Sequence, residues 1–507
     1  MDNIQASGAT EQHPPPIIKP KSIDFAKIQH IFPPGTLVFS RKDNAEIVSR
    51  VLRCQKKGRR NTDPKWKIDV EHVDWNGEEC GYREYSFTID KFDGDCRVTE
   101  LNVFPISYLA DEAKVRAALI ERGRKFEQLR GYRFRACRRE CSIPDRYGRW
   151  YMTPAGSKMC VDSFAYYKQS ANFIPKIRPL EDNGKHPVKA SVDESETASE
   201  SVPAPSVKKK RMECLQPLTD EQRLMVNPWL KCFDIQIETW CRVLVDDLEE
   251  VNSSNLAFEK LHLPDNEKNM ILNLVKGKLL SSNLGSNDPV RNQGHGITCL
   301  MLGPSGVGKA FTAKAIADKL GLPLYSFAVS DFKYEFDTIV DLRRAMELCD
   351  SWGGILLLKG ADCLVAARKD KYCEDDDGFV ISSFELIKDR NYTGILFLTA
   401  NETIDIDPDL IPHINHFLPF SPLGIQTRRQ IWRDSIEHIG KDNFICGTED
   451  MEEVLNELSE FNLNGHEIHH LVNCARIITL GSEDSDNKVS KDTLCILARN
   501  RIRSLRP

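Results

Sequence analysis

The segment GPSGVGKA, running from Gly303 to Ala310, constrains the fold more than any other part of the chain. It reads G-x-x-x-x-G-K and stands between an apolar run (297–302) and a helical stretch near 308–320. Gly303, Gly306 and Gly308 let backbone amides converge on phosphate oxygens, the helix N-terminus adds its dipole, and Lys309 reaches the terminal phosphates. Pro304, Ser305 and Val307 complete the loop. Four more apolar runs follow: LYSFAV (324–329), GILLL (354–358), GILFLT (394–399) and INHFLPF (414–420), with helical stretches near 336–350, 378–389 and 406–412. Near-continuous apolar strands alternating with helices predict an α/β fold with a parallel sheet covered on both faces. Beyond Gln426 the pattern is helical only, which predicts a four-helix lid ending near Ser504.

The N-terminal half has a different texture. GTLVFSR (35–41), EIVSRVLRC (46–54), WKIDVEHVDW (66–75) and YREYSFTID (82–90) are short β-branched and aromatic runs, punctuated by Asn76-Gly77 and Asp93-Gly94. They predict a small antiparallel β domain. A helix is expected over 111–129, with Val115, Leu119, Ile120 and Phe126 on one side. Residues 181–213 are rich in Ser, Glu and Pro and hold almost no large apolar side chain, too little to offset the entropy of ordering. Helical periodicity is read again in LVDDLEEV (244–251) and DNEKNMILNLVKGKLL (265–280). The expected organisation is a disordered tail (1–24), a β-rich mixed α+β domain (25–180), a disordered linker (181–214), a helical segment (215–292), an α/β core (293–423) and a helical lid (424–507).

Composition bounds the function classes. A length of 507 residues implies several domains, at ~100–200 residues each. Hydrophobic residues at 41% and charged residues at 28% are the balance of a globular, water-soluble chain. A net charge of −6 gives no global basis for binding nucleic acid or an anionic membrane. No run approaches the ~20 apolar residues that cross a bilayer, and the first residues carry neither an apolar signal core nor an Arg-rich amphipathic face. A cytoplasmic or nuclear location is expected. The sixteen cysteines include no C-x-x-C pair, and Cys137 and Cys141 lack a matching second pair, so free thiols are expected rather than a zinc site.

The phosphate loop together with LYSFAVSDF, WGGILLLKGADCLVAAR, GILFLTANETID and TRRQIWRDSIEH resembles an AAA+ ATPase. VDWNGEECGYREYSFTIDKFDGDCRVTELNVFPI (73–106) and LIERGRKFEQLRGYRF (119–134) extend the resemblance to a group of fungal AAA-type ATPases with an uncharacterised N-terminal domain. The resemblance implies a P-loop AAA+ sheet with a C-terminal lid, ATP or ADP as cofactor, and other AAA+ subunits or protein partners.

The departures from that pattern carry the functional reading. The family has Ser or Thr after the loop lysine as a Mg²⁺ ligand, and this chain has Ala310, with Thr312 a poor substitute on the far side of the helix. The family's third strand ends in D-E-A-D, whose first Asp holds the metal shell and whose Glu polarises water. Here those positions are Lys359 and Gly360, followed by Ala361 and Asp362. His413 stands where the resemblance places an arginine finger, and His466 where it places the Arg of a second sensor. The first-sensor position, Asn401, matches. The case for Mg²⁺ is therefore weak, and the expectation is an ATP-binding pseudo-ATPase with a structural or regulatory role. An active ATPase that remodels protein complexes and a nucleotide-free scaffold are the alternatives.

Several other features have ordinary explanations. Glu374 to Asp377 reads as a solvated helix start, and Lys359 faces phosphate, bridges Asp362 or tails into solvent. Phe332 and Tyr334 sit where AAA+ translocases grip polypeptide, but would serve equally at the sheet edge. His466, His469 and His470 read as surface histidines, Lys56, Lys57, Arg59 and Arg60 as a hairpin tip, and Lys208 to Arg211 as linker charge or an import signal.

Overall fold

The computed structural model describes residues 21–57, 64–144, 150–169, 174–180, 215–281, 296–329, 335–366, 392–401, 405–440, 443–445, 450–481 and 488–504. The stretch 181–214, the helix expected near 378–389, the acidic run 374–377, the basic residues 59–60, and Phe332 and Tyr334 lie outside them.

An antiparallel six-stranded sheet opens the chain, in the order Arg178–Pro179, Cys80–Ile89, Lys65–Trp75, Ala45–Lys57, Leu37–Lys42, Val103–Pro105. The Leu37–Lys42 and Ala45–Lys57 strands join through Asp43 and Asn44, both at positive φ (48° and 61°). This is the backbone that a two-residue hairpin matched to strand twist demands, and Asp and Asn tolerate it. The helix Glu112–Leu129 buries Leu119, Phe126 and Leu129 in the same core as the sheet. Ser22–Asp24, placed in the tail by the sequence reading, is instead a strand paired with Asp95–Arg97, with Ile23 buried.

A second antiparallel sheet corrects the helical reading of 215–292. Its order is Thr239–Leu244, Trp229–Asp234, Lys158–Val161, Arg133–Cys137, Leu248–Glu250. Three of these strands lie within the segment expected to be helical, where, among the described residues, α-helix is confined to Asp220–Leu224, Leu256–Glu259 and Asp265–Ser281. LVDDLEEV has Leu244, Val245 and Leu248 at near-helical spacing, but a strand end, a 3₁₀ turn and a new strand bury all but the first. Pairing with partners distant in sequence overrides the local pattern. The second sheet is apolar on both faces. Met159, Val161, Leu230, Cys232 and Val243 join the core of the first sheet, whereas Cys160 and Phe233 join that of the α/β domain.

Among the described residues the α/β domain has five parallel strands: β1 (Ile297–Leu302), β2 (Leu324–Ala328), β3 (Ile355–Lys359), β4 (Ile395–Ala400) and β5 (His416–Pro419), in the order β2-β3-β4-β1-β5. Alternate residues enter opposite cores. Ile355, Leu357, Ile395 and Phe397 pack toward α1 (Lys309–Leu320), and Leu356, Leu358, Leu396 and Leu398 toward α2 (Glu335–Trp352). The helix expected over 406–412 is only a 3₁₀ turn, Ile411–His413, because Pro408 and Pro412 lack amide donors. Among the described residues the lid has four helices: α3 (Ile425–Ile439), α4 (Met451–Glu460), α5 (Gly465–Gly481) and α6 (Lys491–Ser504), closed around Trp432, Leu458, Ile468 and Leu494.

Asp162 joins the second sheet to the α/β domain. One carboxylate oxygen accepts the Ala165 amide at 2.9 Å and the other the Trp352 indole N–H at 2.9 Å, both bonds buried. Lys158 pairs with Asp318 on α1 nearby. Each buried donor left without an acceptor costs about 1–3 kcal/mol. Asp162→Ala is therefore expected to destabilise the protein by about 2–4 kcal/mol, read as a lower denaturant midpoint, and an unchanged midpoint would contradict this role.

Candidate nucleotide-binding site

A cavity of about 1170 Å³ lies where the carboxyl ends of β1, β3 and β4 meet the lid. This is the crevice at which open α/β sheets bind ligands, beside the point where strand order reverses. Ser305, Gly306, Val307, Gly308, Lys309 and Ala310 line it; Gly303 and Pro304 are not among the lining residues. The cavity also gathers Lys359 and Gly360 from the end of β3, Asn401 from the end of β4, and His466 from α5. His413 is half-buried on its 3₁₀ turn and does not line the cavity.

The loop has the strained backbone its chemistry requires. Gly306 has φ +76°, and a Cβ there would fall 2.4 Å from the Asn464 side-chain carbonyl. The Gly465 amide donates to the Gly306 carbonyl at 3.0 Å, so the lid is latched directly to the loop. Asn464 is held in turn by a reciprocal cap: its side chain accepts the Glu467 amide and Glu467 accepts its amide, both at 2.9 Å.

Lys309 donates to the Gly303 and Pro304 carbonyls at 2.5 and 2.7 Å. Burial lowers its pKa, and the charge of Asp362 partly opposes this. A half-buried ammonium satisfied only by carbonyls is a receptor for anionic oxygen. Together with the convergent amides at the N-terminus of α1, it fits a phosphate chain. Leu261, Val307, Leu423, Ile431 and Val472 line the rest of the cavity, an apolar surface suited to a flat ring. The cavity therefore fits an adenine nucleotide.

Among the described residues, the positions that ligate magnesium in other P-loop sites carry no ligand for it. Ala310 offers no oxygen, and the Thr312 hydroxyl is turned back to the Gly308 carbonyl at 3.1 Å. Lys359 brings a cation to the carboxylate position. Gly360 has φ +66°, a left-handed backbone in which a side chain would be strained, and its amide donates to the Thr399 hydroxyl at 3.0 Å. Asp362 lines the cavity, but its Oδ1 accepts the Asn401 amide at 2.9 Å and its charge faces Lys309. Among the described residues no group of three or more His, Cys, Asp or Glu is arranged to hold a metal ion.

The lid histidines divide. His470 lies beside Cys474 on the exposed side of α5, whereas His466 and His469 line the cavity with His262 and His438. His469 Nδ1 is 2.9 Å from the Ser435 hydroxyl. Burial lowers the pKa of His262 and His469 against the opposing charge of Asp434, favouring the neutral rings. Sequence reasoning missed Lys260 to Leu263, His469 and Asn464 as cavity or latch residues. Only the start of α5 carried a local signal, the Asn464 and Glu467 cap spacing.

Residues 299–421 match the family described as "ATPase family associated with various cellular activities (AAA)", and residues 16–110 match "Domain of unknown function (DUF7025)". Sheet order, loop and family match define an α/β P-loop domain of the AAA+ type. Among solved structures, the FIGL-1 AAA domain in complex with ADP aligns at 14% identity, covering 41% of this chain and 72% of that one, with a TM-score of 0.33. No curated protein matches the chain. Among the described residues, no helix is long and apolar enough to cross a membrane.

The latch makes its own prediction. Gly306→Ala places a methyl group against Asn464 in a backbone region closed to alanine. The Gly465 amide is expected to exchange with deuterium at least tenfold faster, by roughly 1.4 kcal/mol of lost protection. Unchanged exchange at Gly465 would show that the lid does not depend on this contact.

Proposed function

We propose that this protein binds ATP or ADP without turning it over, and acts as a structural or regulatory subunit beside AAA+ partners that hydrolyse. One observation carries the reading: a phosphate loop complete through Lys309 shares its cavity with Lys359 and Gly360, at the two positions where hydrolysis requires carboxylates. A general base contributes roughly 10²–10⁴ in rate, and an arginine finger roughly 10³–10⁵. Such factors do not simply multiply, but loss of base, finger and metal ligands together takes turnover below a useful rate. His413 and His466 support the same direction, since neither can offer the planar, permanently charged fork of arginine. The expected setting is the cytoplasm or nucleus.

Titration calorimetry with ATP and ADP tests the proposal. Wild-type protein is expected to bind, and Lys309→Ala to weaken affinity at least tenfold, roughly 1.4 kcal/mol. A steady-state assay on the same preparations is expected to give equal phosphate release for both. Absence of binding to wild type would favour a scaffold, and turnover that Lys309→Ala abolishes would favour an active ATPase.

A further inference from the structure

The side chain at the end of β3 specifies more than loss of catalysis. Lys359 is half-buried and lines the cavity with Lys309. Its backbone position is fixed: Ala328 pairs with it across β2, the Gly360 amide holds the Thr399 hydroxyl, and the Ala361 amide donates to the Thr399 carbonyl at 2.8 Å. Asp362, three residues on, is the obvious counter-ion, yet it accepts the Asn401 amide instead. Among the described residues, Lys359 makes no hydrogen bond or ion pair. Five lysines and arginines line the whole cavity against two carboxylates. A site with this balance has an excess of positive charge before any ligand arrives.

We infer that the cavity selects a nucleoside triphosphate free of divalent metal, with the Lys359 ammonium standing where other P-loop sites hold the ion. This rests on the nucleotide-binding reading above and specifies its ligand. Metal-free ATP carries about twice the negative charge of its magnesium complex, so it gains more from a pair of ammonium groups in a partly desolvated cleft. A magnesium ion carried in on the phosphates would instead enter a cavity that already holds the Lys359 charge, with Ala310 offering no ligand in return. The cation ordinarily supplied by solution is here part of the chain.

The test is calorimetric titration of the full chain with ATP at matched ionic strength, once with EDTA and once with excess MgCl₂. Wild type is expected to bind at least tenfold more tightly in EDTA. Lys359→Met is expected to shrink that preference to less than threefold, and Lys359→Asp to reverse it, with thermal melts confirming that both variants fold. Tighter binding of wild type with magnesium would overturn this inference while leaving nucleotide binding in place. So would a preference for metal-free ATP that survives in Lys359→Met. No binding in either buffer would overturn both readings together.

Discussion

Burial of β3 from both sides fixes everything that happens at its end. Ile355 and Leu357 are buried toward α1, Leu356 and Leu358 toward α2, and β2 and β4 hydrogen-bond along its edges. Residue 359 is the last residue of the strand, and the Thr399 contacts pin the two residues after it. Whatever side chain occupies that position is delivered to the phosphate cavity. The packing of the sheet does not require a carboxylate there. Function therefore has to be argued from the residues at the strand ends and not from the fold.

The loop is also tied to its surroundings at both ends of α1. At the N-terminal end, the lid reaches Gly306 through Asn464 and Gly465; at the C-terminal end, Asp318 pairs with Lys158 of the second sheet. That sheet is apolar on both faces, so the N-terminal body and the α/β domain share a layer of structure. Phe233 stacks edge-on with Tyr325 and lies tilted against Trp352 within that layer. A ligand that displaced the Lys309 carbonyl contacts would act on a helix already joined to both neighbours.

Much of this was legible in the sequence, for physical reasons. The five parallel strands announce themselves because two-sided burial requires unbroken apolar runs, and the loop because only that glycine spacing bends a strand into a phosphate-binding turn. The replacements at Ala310, Lys359 and Gly360 can be read because they fall inside a fixed frame. The second sheet was not legible. Its strands come from both sides of residues 181–214, and Leu244, Val245 and Leu248 imitate a helical stripe until their distant partners are known. The Asn464 contact with Gly306 and the Asp362 contact with Asn401 are likewise tertiary. No local pattern indicates that Asp362 is engaged elsewhere and leaves Lys359 unpaired among the described residues.

The central claim is that triphosphate can occupy this cavity with nothing present to activate water against it. A single-turnover experiment addresses this most directly. γ-Labelled ATP is held with excess protein for several hours, with magnesium present, and the bound nucleotide is then recovered and separated. Recovery of intact ATP at the level of a protein-free control is the predicted result. Conversion of the bound fraction to ADP and phosphate within minutes would contradict the account.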